Sequence, residues 1–97
     1  MIRSFADQAT ADLFVGKRTR GTRRIEAVWD VARRKLGYLE AAAGLDDLRA
    51  PPGNRLELLK GDRRGQHSIR VNDQYRLCFT WTAQGPEDVE FVDYHAG

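Results

Sequence analysis

The sequence of 97 residues has little material for metal or disulfide chemistry, because it contains one cysteine and two histidines. Cys78 has no second cysteine to pair with, and a single thiol inside an apolar stretch is typical of a core residue in a reducing cytoplasm. A structural zinc site usually needs about four cysteine or histidine ligands. We therefore expect a cytoplasmic protein that folds without a metal or another cofactor.

Long apolar runs are also missing. No stretch approaches the roughly 20 residues that a membrane helix needs, and the first ten residues carry Asp7 and lack a long apolar stretch. The sequence therefore predicts neither a membrane protein nor an exported one. It also lacks a glycine-rich phosphate loop, a nucleophile elbow and a recognisable helix-turn-helix. Any function has to come from side chains that the fold brings together.

Basic residues are distributed unevenly along the chain. Residues 17–76 hold 15 of the 16 lysines and arginines against 8 acidic residues, whereas residues 77–97 hold 4 acidic residues and no lysine or arginine. Segregated positive charge suits a nucleic-acid backbone, and an acidic partner protein would fit it too. For any single residue, a solvated helix face is the simpler explanation.

The first half of the chain predicts two helices, and its composition, 41% hydrophobic and 31% charged, is that of one folded domain over residues 1–97. Ile2–Phe5 alternates as a short strand would, and residues 7–15 fit a helix that ends at Gly16. A longer helix is predicted from Thr22 to about Gly44. Its apolar face contains Ile25, Val28, Trp29, Ala32, Leu36, Leu39 and Ala43. The remaining positions, Arg23, Arg24, Arg33, Arg34 and Lys35, are expected on a solvent-exposed, positive face.

The second half predicts strands. After a loop at Pro51-Pro52-Gly53 the apolar period changes to two, which indicates strands at 56–60, 66–71, 75–82 and 89–94. The turns between them, at 61–65, 72–73 and 84–86, are too short for parallel crossovers, so neighbouring strands should be antiparallel. The predicted class is α+β, in the order β-α-α-β-β-β-β, with both helices packed on a twisted, mainly antiparallel sheet.

Four residues on or near these strands could act together on RNA. Cleavage through the RNA's own 2′-hydroxyl needs a base, positive charge at the phosphate and an acid for the leaving oxygen. His95 can exchange a proton near neutral pH, although a histidine this close to the chain end can equally be an exposed residue. Arg76 can grip phosphate or pair with an acid. Lys60 and Tyr94 fit phosphate contact or base stacking, and also ordinary turn and edge positions.

Three runs of sequence resemble the HigB family of plasmid-maintenance killer toxins. They are PPGNRLELLKGDR at 51–63, GQHSIRVNDQYRLCF at 65–79 and VDYH at 92–95. The resemblance spans nearly the whole chain and is densest over residues 51–95. It implies a RelE-like fold and a ribosome-dependent endoribonuclease that enters the decoding site and cuts mRNA by 2′-hydroxyl attack, without a cofactor.

The resemblance also implies site residues. The family's terminal Asp-Tyr-His motif corresponds to Asp93, Tyr94 and His95, its strand arginine to Arg76 and its turn lysine to Lys60. Glu57 is a departure, because some relatives have histidine there; the base is then Glu57 itself, or His67, or a weak base helped by the ribosome. RNA-binding candidates are Arg55, Arg63, Arg64, Arg70 and His67.

The implied partners are a helix-turn-helix antitoxin of the HigA type, the ribosome with its mRNA, and operator DNA reached through the antitoxin. Two other functions remain open. A relative of the ParE type would poison a topoisomerase and would not need His95. A degenerate toxin would only bind its antitoxin and help to regulate the operon.

Overall fold

The computed structural model describes residues 1–94, in which two helices precede a four-stranded sheet. The helices are α1 (Gln8–Val15) and α2 (Trp29–Ala41), and the strands are β1 (Glu57–Leu58), β2 (His67–Arg70), β3 (Tyr75–Thr82) and β4 (Gly85–Asp93). The strands lie in the order β1-β2-β3-β4 with antiparallel neighbours. The predicted α+β fold is confirmed.

The limits of α1 follow from its capping residues. The Asp7 carboxylate accepts a hydrogen bond of 2.8 Å from the Thr10 amide, which satisfies a donor at the helix start. Gly16 ends the helix in the left-handed region, at φ 79°, where glycine is favoured. The helix predicted for residues 7–15 is confirmed.

The single long helix predicted from Thr22 to Gly44 is wrong in its extent. Residues 20–28 form a 3-10 helix, and α2 begins at Trp29 and ends at Ala41. Thr19 and Thr22 hydrogen-bond each other locally, with the Thr19 amide 2.9 Å from Thr22 Oγ1 and the Thr22 hydroxyl 3.1 Å from the Thr19 carbonyl. Such side-chain bonds compete with the α-helical pattern. A second short 3-10 turn follows at Leu45–Leu48.

The predicted strands are found, with different limits. β1 is only two residues long, and residues 61–63 of the predicted turn form a 3-10 turn. β4 starts at Gly85, so the turn predicted at 84–86 lies partly inside that strand. The predicted N-terminal strand is reduced to one parallel bridge between Phe5 and Val89. Its backbone still lies along β4, since the Val89 amide donates to the Ser4 carbonyl over 3.1 Å.

The core lies between the helices and one face of the sheet. From the helices it receives Leu13, Ile25, Trp29, Leu36 and Leu39, and from the sheet Ile69, Leu77, Phe79, Val89 and Phe91. The predicted helix face is therefore largely correct. Two expectations fail: Ala43 is exposed because α2 has already ended, and Lys35 is buried rather than solvated.

Candidate active site

The sheet has a second face, turned away from the helices, on which polar residues line up. Residues directly opposite each other on paired strands project to the same side. One such row crosses all four strands through Glu57, Ser68, Cys78 and Glu90. Arg76 belongs to the next row on this side. We call this side of the sheet the open face.

Arg76 is held firmly on the open face, as its place between apolar strand residues predicted. Its Nε donates to Ser68 Oγ over 2.7 Å, and its Nη2 donates to the Arg55 carbonyl over 2.7 Å. The side chain is 12% exposed. Within residues 1–94, the hydrogen bonds that Arg76 donates come from Nε and Nη2. A guanidinium fixed in this way is a preorganised phosphate donor.

Two predicted site residues lie beside Arg76. A carboxylate oxygen of Glu57 is 3.7 Å from Nη2, on a side chain that is 59% exposed. The Arg76 guanidinium stands 5.7 Å from the centre of the Tyr94 ring. Burial raises the pKa of the Tyr94 phenol, and neighbouring Cys78 raises it further, against the opposing effect of Arg76. Tyr94 therefore keeps its proton at neutral pH and can donate it in a hydrogen bond.

A groove of about 650 Å³ opens along this side of the molecule. Its lining residues are Glu57, Leu58, Leu59, Lys60, Asp62, Arg63, Val92, Asp93 and Tyr94. Arg63 forms an ion pair of 3.1 Å with Glu90, and both side chains are about one-third exposed. The groove thus combines two cations, three carboxylates and an aromatic ring.

The other predicted residues are distributed around the site. Arg70, whose backbone pairs with Arg76, bonds the Asp73 carboxylate at the end of the sheet. Asp93 lines the groove, and its carboxylate accepts a hydrogen bond of 3.0 Å from Gln74 Nε2. Arg64 is exposed on the turn before β2. His95, the predicted acid, lies outside the described residues.

His67 is on the wrong side of the sheet to share in this site. It is paired with Phe79, stacks on that ring at 6.3 Å between centroids, and belongs to the face that packs against the helices. Its Nδ1 is buried and has no hydrogen-bond partner among the described residues. Burial, and then the charge of Arg49, lower the pKa of His67. It is therefore a neutral residue at the border of the core.

This environment predicts a pH dependence of stability. Because the folded-state pKa of His67 is lowered, the unfolded chain takes up a proton first, at about pH 6.5. The contribution of His67 to the free energy of unfolding should fall as the pH drops from about 6.5 to the folded-state pKa. Below the folded-state pKa this contribution should stay constant. Urea unfolding at pH 7.5 and 5.5 measures this loss, which should be smaller in His67→Phe. An equal loss in both proteins would contradict the assignment to His67.

Cys78 does not add a nucleophile to the open face. Its side chain is buried, and burial is the main cause that raises the pKa of the thiol. A neutral, inaccessible thiol is a poor nucleophile. Within residues 1–94, no cluster of His, Cys, Asp or Glu could hold a metal ion, and no helix there is long and apolar enough to cross a membrane. Arginine and lysine side chains can bind phosphate, and carboxylates can accept a proton.

Comparison with known families decides which class of protein carries this groove. A family model described as the RelE-like toxin of the type II toxin-antitoxin system HigB matches residues 3–95. The chain belongs to this HigB-like toxin family. The resemblance drawn from the three sequence runs is thereby confirmed, and so is the RelE-like character of the α+β fold.

The chain is similar to two relatives over about half of its length. It is 60% identical to Toxin HigB-1 of Vibrio cholerae serotype O1 over 48 residues, which are 50% of this chain and 50% of that protein. It is 44% identical to an uncharacterized protein of Haemophilus influenzae over 54 residues, which are 56% of this chain and 54% of the other. The match thus spans about half the length of each relative.

Two contacts of the site were missed from sequence. Ser68 anchors the Arg76 Nε, and the backbone carbonyl of Arg55 anchors Nη2. Alternation within the two strands could have placed Ser68 on the side of Arg76, once the register of the hairpin was known. No side-chain pattern could have indicated the carbonyl, because every residue has one.

Proposed function

We propose that this HigB-like toxin is a ribosome-dependent endoribonuclease that cuts mRNA during translation. The observation that carries the proposal is the fixed Arg76 guanidinium, with Glu57 3.7 Å from it and the Tyr94 ring 5.7 Å away, beside a groove that Lys60 and Arg63 help to line. This arrangement offers positive charge where phosphate would sit, a carboxylate beside it and an aromatic surface for a base.

In the proposed reaction the substrate supplies its own nucleophile. Glu57 accepts the proton of the 2′-hydroxyl, and the oxygen then forms a bond to the adjacent phosphorus. The bond from phosphorus to the 5′-oxygen breaks, and His95 supplies the proton that the leaving oxygen takes. The products are a 2′,3′-cyclic phosphate and a 5′-hydroxyl. Arg76 stabilises the added negative charge on the phosphate oxygens.

The other groove residues have binding roles in this proposal. Lys60 and Arg63 lie where the RNA backbone would enter, and the Tyr94 ring offers a stacking surface. Glu57 is favoured over His67 as the base, because His67 lies on the opposite side of the sheet from Arg76. Arg55, Arg64 and Arg70 would make backbone contacts at most.

The partners belong to the proposal as well. Membership of a type II toxin family implies a protein antitoxin, and we propose that it is of the helix-turn-helix, HigA type. Through it the toxin would reach operator DNA. The ribosome would supply the remaining positioning of the mRNA, since the groove is open along one side.

The test is cleavage of mRNA on programmed ribosomes by the purified chain, with mapping of the cut ends. We expect cuts only when ribosomes are present, with cyclic phosphate and 5′-hydroxyl ends, and loss of most of that activity in His95→Ala. Cuts without ribosomes, or none at all, would contradict the proposal. Growth arrest by His95→Ala at the level of the unaltered toxin would instead favour the topoisomerase-poison function.

A further inference from the structure

A lysine that forms no ion pair with any described residue is buried beneath the loop that leads into β1. Lys35, on α2, is 4% exposed, and none of the ion pairs within residues 1–94 includes it. Its ammonium donates to Asn54 Oδ1 over 2.6 Å. Burial, followed by the charges of Arg34 and Arg70, lowers the pKa of Lys35. A buried cation facing a neutral partner costs folding free energy, so packing alone does not account for this residue.

Asn54, the partner of Lys35, is itself held at several atoms. It is fully buried, and its amide Nδ2 donates to the Leu48 carbonyl over 3.2 Å. Its backbone carbonyl accepts from the Arg70 amide over 2.6 Å. Asn54 therefore ties together α2, the 3-10 turn at 45–48 and β2. A buried side chain with both ends bonded has little freedom to move.

The next residue, Arg55, carries this rigidity to the site. Its backbone is in the left-handed region, at φ 45°, which is uncommon for a residue other than glycine and costs about 1 kcal/mol or more. In that conformation its carbonyl accepts from Arg76 Nη2 over 2.7 Å. A strained backbone conformation persists only if neighbouring contacts hold it. For Arg55 the adjacent residue is Asn54, whose side chain is hydrogen-bonded at both Oδ1 and Nδ2.

We propose that Lys35 and Asn54 are positioning residues of the open face, which hold the Arg55 carbonyl where it fixes the Arg76 guanidinium. This inference rests on the proposed function in one respect, namely that a fixed Arg76 guanidinium helps catalysis. The arrangement itself, from a lysine in the helical layer through Asn54 and Arg55 to Arg76, can be tested whether or not the chain cuts RNA.

The first test observes Arg76 directly by NMR. The Nη2–H signal of Arg76, assigned by its absence in Arg76→Lys, should exchange slowly with solvent in the unaltered chain because Nη2 donates to the Arg55 carbonyl. We expect this exchange to be at least about tenfold faster in Lys35→Met and in Asn54→Ala. Unchanged exchange in Lys35→Met would overturn the proposal.

Two controls separate positioning from general loss of charge or stability. Lys17→Met makes the same substitution at an exposed lysine, and Leu39→Val loosens the packing of α2 within the core. Both should leave the Arg76 signal as it is in the unaltered chain, and thermal melts should show all variants folded. Lys35→Met keeps the apolar stem and removes a buried charge, so it is expected to fold. If the exchange of the Arg76 signal becomes as fast in Leu39→Val as in Lys35→Met, Lys35 has only a structural role.

The second test uses cleavage in a double-variant cycle. A displaced guanidinium should slow single-turnover cleavage on ribosomes by about 10- to 100-fold in Lys35→Met. Because the effect acts through Arg76, the double variant Lys35→Met/Arg76→Ala should be no slower than Arg76→Ala alone. Additive losses would overturn the proposal. If the unaltered chain cuts nothing, the proposed function fails, while the Arg76 NMR signal still decides whether Lys35 positions it.

Discussion

Arg76→Ala is expected to slow ribosome-dependent mRNA cleavage by about 10²–10³-fold, the typical loss when one preorganised donor to a transition-state oxyanion is removed. The guanidinium is fixed by two bonds of 2.7 Å, to Ser68 Oγ and to the Arg55 carbonyl. Little reorganisation is then needed when charge develops on the phosphate. Single-turnover cleavage on programmed ribosomes measures the loss.

Two further variants make this prediction specific. Arg76→Lys keeps the charge but cannot reach both anchors with a planar fork, so it should recover only a small part of the rate. Arg49→Ala removes an arginine that is 65% exposed and paired with Asp46, outside the groove. It should cut at nearly the unaltered rate. An Arg76→Ala protein that is folded and cuts as fast as Arg49→Ala would refute the assignment of the phosphate site.

The largest expected effect on stability comes from Phe91. Its side chain is 1% exposed, its ring lies 4.7 Å from that of Tyr75, and the Arg24 guanidinium covers it at 5.3 Å. Phe91→Ala should lower the free energy of unfolding by about 3–5 kcal/mol, because it removes the ring and leaves a cavity. That is a large share of the roughly 5–15 kcal/mol available to a small domain. Urea unfolding measures the change.

Phe91→Leu is the matched control, since it keeps most of the volume and should cost less than about 1.5 kcal/mol. A loss below about 1 kcal/mol in Phe91→Ala would mean that β4 is not packed against the helices as described. The outcome matters for the site as well, because β4 leads directly into Tyr94.

Local patterns in the sequence were enough for α1 and for the order of the four strands, although not for the extent of the second helix. Asp7 and Gly16 mark α1 because capping depends on residues only three or four positions apart. The alternation around Arg76 placed it opposite the apolar face, since successive strand residues point to opposite sides. Lys60 and Tyr94 were candidates from their strand positions and, together with Glu57, from the family resemblance. The structure places these three along one groove, and Glu57 and Tyr94 lie beside Arg76.

The register between β2 and β3 could not be predicted from local sequence patterns. The turn signal at Asn72-Asp73 is confirmed, but a two-residue loop there would have set Arg76 opposite Ile69. In the structure the Val71 amide bonds the Tyr75 carbonyl over 3.0 Å, and Arg76 lies opposite Arg70 and within reach of Ser68. A shift of one residue moves a whole strand to the other face, and burial of the apolar face determines which register forms.

By itself, then, the sequence determined α1, the order of the four strands and, through its motifs, the toxin family, and it singled out Arg76 as a site candidate, because each depends on residue types at short or motif spacing. Only the tertiary structure decided that His67 belongs to the core side, that Lys35 is buried against Asn54, and that a carbonyl of Arg55 holds Arg76. These are contacts between distant segments, and they form only where the packed helices and sheet leave space for them.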